Sequence, residues 1–178
     1  MKKTIVVYKS STGFTKRYAQ MIAQETHCAI ADFQKLRDGR QLAGYDTVIF
    51  GSRAHAGSID GLKKMRKLFQ ASGAKRLLLF VTGAMPDTAT ETIQQFWSQN
   101  LTADELLHIP HFYMPGGLCY EKMSRGDRLM MKAAAAMMKR KKHKSAADLE
   151  FERAIAHSYD ISDRKYMEPL VAFLKRQG

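Results

Sequence analysis

Ser10-Ser11-Thr12-Gly13-Phe14-Thr15 sets four hydroxyl side chains around one glycine. Hydroxyls donate hydrogen bonds to an oxyanion. A glycine, lacking Cβ, lets the main chain approach the same anion closely. If a helix begins where the loop ends, its unpaired N–H groups and positive dipole end add to the attraction. The chemistry is phosphate binding. Serine and threonine at a helix start also act as simple N-caps, but four of them in one turn favour the phosphate. The loop needs no lysine, and GxxxxGK[ST] is absent.

The flanking residues must supply a strand and a helix. Lys3 to Tyr8 is a short β-branched run that ends in this turn, and it reads as a buried strand. Phe14, Tyr18 and Ile22 recur at helical spacing, which predicts a helix over about Thr15 to Glu25. Further strands are expected at Cys28 to Phe33, Thr47 to Phe50, Leu77 to Val81 and His108 to Met114. Residues 51 to 61 read as a loop, rich in Gly, Ala and Ser. Leu62, Met65, Leu68 and Phe69 mark a helix face, and Ile93, Phe96 and Trp97 mark another over Thr90 to Gln99. Apolar strands without alternation, separated by helices, describe a parallel sheet covered on both faces. The expectation is a doubly wound α/β sheet of five strands forming one domain over residues 1–178.

Beyond Met114 the pattern changes. Pro115 to Tyr120 reads as a loop. A helix over about Gly126 to Lys142 carries Leu129, Met130, Ala133, Ala134, Met137 and Met138 on one arc, with Arg128, Lys132, Lys139 and Lys142 on the other. The basic run Lys139 to Lys144 closes it. Such a helix either packs its apolar arc on the sheet or lies in an anionic membrane interface. A last helix near Asp163 to Arg176 is expected to bury Met167, Leu170, Val171 and Leu174.

Composition narrows the classes. Hydrophobic residues are 45 % of the chain, enough for a packed core. The N-terminal apolar stretch is too short for a signal-peptide core, which fits the first strand of a cytoplasmic protein. Cys28 and Cys119 lie far apart with no metal-ligand spacing, so neither a disulfide framework nor a metal site is expected. Lys plus Arg number 29 against 17 Asp plus Glu, a formal net charge of +12 that favours anionic partners. No helix-turn-helix, zinc or RNP-type motif accompanies that charge, so nucleic acid is not the expected partner.

The segment Val6 to Thr15, continued by Ala19 and Ile22, resembles the flavodoxin signature at every defined position. The resemblance extends over most of the chain to about Met114. It implies a flavodoxin-like three-layer sandwich with sheet order 2-1-3-4-5 and flavin mononucleotide (FMN) as cofactor. It carries Ser10, Ser11, Thr12, Gly13, Phe14 and Thr15 over as phosphate ligands. It also implies that two strand-end loops enclose the flavin ring, one containing Ser52, Arg53, Ala54 and His55, the other Thr82, Gly83 and Ala84. Arg53 or His55 could stabilise negative charge on the ring or pass it a proton; alternatively Arg53 is a surface charge and His55 a capping side chain.

The chain departs from electron-carrier flavodoxins in having no aromatic residue in either ring loop. It looks more like the branch that includes the menaquinone-dependent protoporphyrinogen IX dehydrogenases, which carry a long insertion after the last strand. Residues 115 to 145 occupy that place, with a similar Gly-rich, basic, Met-rich composition. The resemblance implies an oxidoreductase moving electrons between a reduced donor and an acceptor, with a substrate of quinone or porphyrinogen type. The alternative is a non-catalytic flavodoxin carrier, whose usual acidic face the net charge argues against. No catalytic residue stands out, and oligomeric state stays open.

Overall fold

A computed structural model describes residues 3–144 and 146–177. In chain order the elements are β1 (Thr4–Tyr8), α1 (Phe14–Thr26), β2 (Ala29–Asp32), β3 (Thr47–His55), β4 (Ser58–Ile59), α2 (Leu62–Ser72) and β5 (Arg76–Gly83). There follow α3 (Thr90–Asn100), α4 (Ala103–His108), β6 (His111–Pro115), β7 (Gly117–Leu118), α5 (Arg125–Arg140), α6 (Ala146–Ala154), β8 (Tyr159–Asp160) and α7 (Glu168–Gln177).

The central sheet runs β2-β1-β3-β5-β6, all parallel. This is the expected order once the short β4, which pairs antiparallel with β3, is set aside. Alternate strand residues feed two cores. Val7, Val48, Phe50, Leu79 and Val81 pack under α2 and α3 with Met65, Leu68 and Trp97. Val6, Ile49, Leu78 and Phe80 pack under α1 and α7 with Tyr18, Ile22 and Leu170. This two-sided burial is why the strands read as unbroken apolar runs. The arrangement is an α/β flavodoxin-like sandwich.

Several boundaries differ from expectation for local reasons. The expected loop at 51 to 61 is instead the end of β3 and a hairpin. Ala56 (φ 48) and Gly57 (φ 78) form its two-residue turn, and Ala54 faces Ile59 across it. Positive φ at both central residues gives the twist such a hairpin needs. His108 lies in α4, not in a strand, because Thr102 and Glu105 build a reciprocal capping box that starts a helix. The expected loop after Pro115 contains β7, which pairs with β8 through Leu118 and Tyr159. Arg164–Met167 forms a short 3-10 turn before α7.

The largest difference concerns α5. None of its residues is buried, and Leu129 and Met137 are 70 % and 69 % exposed. Met131, Ala134, Ala135 and Met138 are half-buried, whereas Leu129, Met130 and Met137 face outward. The apolar arc is therefore split, and its outer half has no packing on the sheet. Within the basic run, Lys141 turns to Asp148 and Lys144 to Glu152. Ser145, the last residue of the expected insertion, lies outside the described residues.

Candidate functional site

The loops singled out in the sequence meet at the carboxyl ends of β1, β3 and β5. That is where open α/β sheets place their ligands, at the reversal of strand order. Thr15 and Thr82 share a buried hydrogen bond of 2.7 Å between their hydroxyls. The Thr82 hydroxyl also donates toward the Ser52 carbonyl at 3.4 Å. One chain of contacts thus joins the candidate phosphate loop to both candidate ring loops.

Gly13 occupies the N-cap of α1 at φ 104, a conformation that side chains resist, and a Cβ there would meet nothing within 4 Å. No side chain caps the helix, and its first turn holds no acidic residue. Ser10 Oγ accepts the Gly13 N–H at 3.2 Å, which folds the loop over the helix end. Ser11 is exposed and Thr12 half-buried, with the Thr15 hydroxyl and Phe14 buried. The cradle is open, donor-lined and free of competing negative charge, and it fits a phosphate. Nearby cations are already engaged: Lys9 pairs with Asp60 at 2.6 Å, and Arg17 with Asp160 at 2.7 Å. Main-chain donors, not a lysine, would carry the binding.

The candidate ring loops are small-residue surfaces held from behind. Ser52 donates to the Asp60 carbonyl, fixing the base of the hairpin. Gly83 lies against Tyr113 so closely that a Cβ would collide with its ring. The Tyr113 hydroxyl accepts from Met85 N–H at 3.1 Å and donates to the Met85 carbonyl at 3.0 Å. Burial pushes that phenol well above its ordinary pKa, so it stays a neutral donor. Tyr159, delivered by β8, donates to the Ala84 carbonyl at 2.6 Å. Ala84 thus receives an aromatic neighbour from β8 although the loop itself has none.

Arg53 and His55 are neither free at a ring edge nor idle. Arg53 Nη1 donates to Asp127 Oδ2 at 2.7 Å, and its Nε lies 3.3 Å from Asp60 Oδ2. His55 Nε2 contacts Asp127 Oδ1 at 2.8 Å. A charge-alternating chain, Lys9, Asp60, Arg53 and Asp127, therefore runs from the candidate phosphate loop to α5, where His55 also contacts Asp127. Asp127, Asp60, Lys9, Tyr113 and Tyr159 were not singled out by sequence. Their partners are as many as 75 residues away, beyond local pattern. Asp127 alone left a trace, as the lone acid among the basic residues that open α5.

Arg53's hydrogen bond chiefly holds the Asp127 carboxyl below its ordinary range, with burial opposing and His55 adding to the effect. Burial raises the Asp60 carboxyl, but hydrogen bonds from Lys9 and Arg53 outweigh it and leave that carboxyl low as well. A depressed carboxylate stabilises the fold above its unfolded pKa, about 4, and that stability is lost as pH falls through the depressed value. We expect α5 to detach below about pH 4. Amide exchange over residues 125–131 should accelerate there relative to β1 and β3; parallel protection down to global unfolding would contradict this.

The flavodoxin domain family model matches residues 5–145. No curated protein matches the chain. Among solved structures, a flavodoxin, WrbA-like protein from Agrobacterium tumefaciens is 18 % identical, with 87 % of this chain and 96 % of that one covered and a TM-score of 0.41. A flavoprotein in complex with FMN from Lactobacillus acidophilus is 16 % identical, covering 65 % and 93 %, with a TM-score of 0.41. The two-electron reduced flavodoxin of Megasphaera elsdenii is 17 % identical, covering 62 % and 82 %, with a TM-score of 0.43. The family match spans the sheet, the hydroxyl loop and both ring loops, and on that match the chain belongs to the flavodoxin domain family.

Proposed function

We propose that this chain is an FMN-dependent oxidoreductase that passes electrons between a reduced donor and an acceptor, with an apolar substrate that is either a porphyrinogen-type donor or a quinone-type acceptor. The observation that carries the reading is the convergence of three loops through Thr15, Thr82 and Ser52. FMN, when bound, supplies the redox chemistry. Ser10 to Thr15 hold its phosphate, while Ser52 to His55 and Thr82 to Ala84 present main-chain groups to its ring. Tyr113 and Tyr159 keep the second loop in place. The sheet and insertion act as one domain.

Purified protein should be yellow, with a flavin spectrum, and should quench added FMN once stripped. Colourless protein that ignores FMN would overturn the reading. With FMN bound, oxidation of a porphyrinogen with a quinone acceptor tests the substrate class; absence of turnover would favour the carrier role.

The outer face of α5 supports a place for the reaction. Among the described residues no helix is long and apolar enough to cross a membrane. Exposed Leu129, Met130 and Met137 are flanked by exposed Lys132, Lys139 and Arg140, the layout of an interfacial helix. The reading is peripheral binding to anionic lipid at the cytoplasmic face. Each basic residue near such a surface contributes about 1 kcal/mol. Neutralising Lys132, Lys139 and Arg140 with glutamine should weaken binding to phosphatidylglycerol vesicles by roughly a hundred-fold at low salt. Sedimentation that ignores both salt and these substitutions would refute the contact.

A further inference from the structure

Arg53 and His55 stand two apart on β3, and both reach the same carboxylate. Each oxygen of Asp127 has its own donor, at 2.7 and 2.8 Å. Matching one donor to each oxygen is how proteins recognise a carboxylate. Arg53 does not depend on Asp127 for its orientation. Asp60 holds its Nε from the other side, and Lys9 balances Asp60. Arg53 therefore keeps a second anchor if Asp127 leaves. Asp127 itself is mounted on a helix with no buried residue, so its departure breaks little else.

We propose that Arg53 and His55 form a carboxylate-binding site, that the chain's own Asp127 fills it in this structure, and that its ligand is an organic anion bearing a carboxylate on an apolar body. The ligand's carboxylate replaces that of Asp127, and the first turn of α5 lifts. Met131, half-buried one turn beyond Asp127 on the same face of α5, supplies an apolar neighbour. The site uses side chains of a loop whose main chain is assigned to the flavin ring, so the proposal rests on that reading for its role as a substrate site. Its existence does not depend on FMN.

The test uses the full chain, with benzoate as probe and benzamide as its neutral counterpart. The His55 ring signal, identified with His55→Gln, is followed by NMR. Asp127→Ala should bind benzoate at least ten-fold more tightly than the unmodified chain, and Asp127→Asn should shift in the same direction. Adding Arg53→Met to Asp127→Ala should abolish the gain, and benzamide should leave the signal unmoved throughout. Equal benzoate affinity in the unmodified and Asp127→Ala chains would overturn the proposal, as would benzamide binding as well as benzoate.

If both Asp127 variants lose the native circular dichroism spectrum, the unmodified chain decides. Benzoate should accelerate amide exchange over residues 125–131 and benzamide should not; no difference would overturn the proposal. FMN quenching is measured on the same samples. Loss of quenching with benzoate still bound would strike the flavin reading alone. Quenching without benzoate binding would strike only the carboxylate site.

Discussion

Thr12→Glu should abolish FMN binding, by at least a hundred-fold in Kd, without loosening the fold. Thr12 is half-buried in a loop that no side chain caps, so the larger side chain has room. Its carboxylate would sit at the positive end of α1, which favours the folded chain by about 0.3–1 kcal/mol. The same carboxylate occupies the cradle a phosphate needs. Like charges juxtaposed at a binding site cost several kcal/mol, and 2.7 kcal/mol is already a hundred-fold. Thr12→Ser, which keeps the hydroxyl, should bind as before. Fluorescence quenching of FMN reads the affinity, and a urea transition reads the fold. Affinity within ten-fold of the unmodified chain would remove residues 10–15 as the phosphate site.

The largest effect on stability should come from Phe80. It is fully buried, and its register partner across the sheet is Gly51. The ring lies over that glycine closely enough that any Cβ at residue 51 would collide with it. Phe80→Ala should cost about 3–5 kcal/mol, a large share of a typical 5–15 kcal/mol total. Gly51→Ala should cost about 1–3 kcal/mol by overpacking. The diagnostic is the double variant. With the ring gone, the Gly51→Ala penalty should largely vanish, a coupling of about 1–2 kcal/mol. Strictly additive losses in urea denaturation would show that the ring does not rest on Gly51.

Both arguments start from features legible in the sequence to different degrees. The hydroxyl loop was legible because its parts are contiguous: strand, turn and helix follow one another within about twenty residues of signature. The sheet was legible because burial on both faces writes unbroken apolar runs at Val48 to Phe50 and Leu77 to Val81. The hairpin at 56–57 was not, since Ala-Gly is a weaker turn signal than Asn-Gly and small residues mask a strand. The capping box at Thr102 and Glu105 is a local helix-start pattern that the reading of His108 to Met114 as a strand does not use. The roles of Arg53 and His55 were out of reach because they are decided by Asp127, more than seventy residues away. The fate of α5 was equally hidden. An amphipathic pattern states that a face is apolar, not what covers it.

The pairing of β7 with β8 has a consequence of a different kind. Leu118 and Tyr159 face each other across it, so everything from Cys119 to Ser158 leaves and returns through one closed neck. The sheet therefore experiences that segment as a single inset whose two ends are already neighbours. Closure entropy changes only slowly with the length between such ends. The inset is thus free to lengthen, shorten or change composition with little effect on the strands beneath it. A scaffold of this kind lets natural selection, or a protein engineer, exchange what approaches the sheet as a cassette while Ser10 to Thr15 stay as they are.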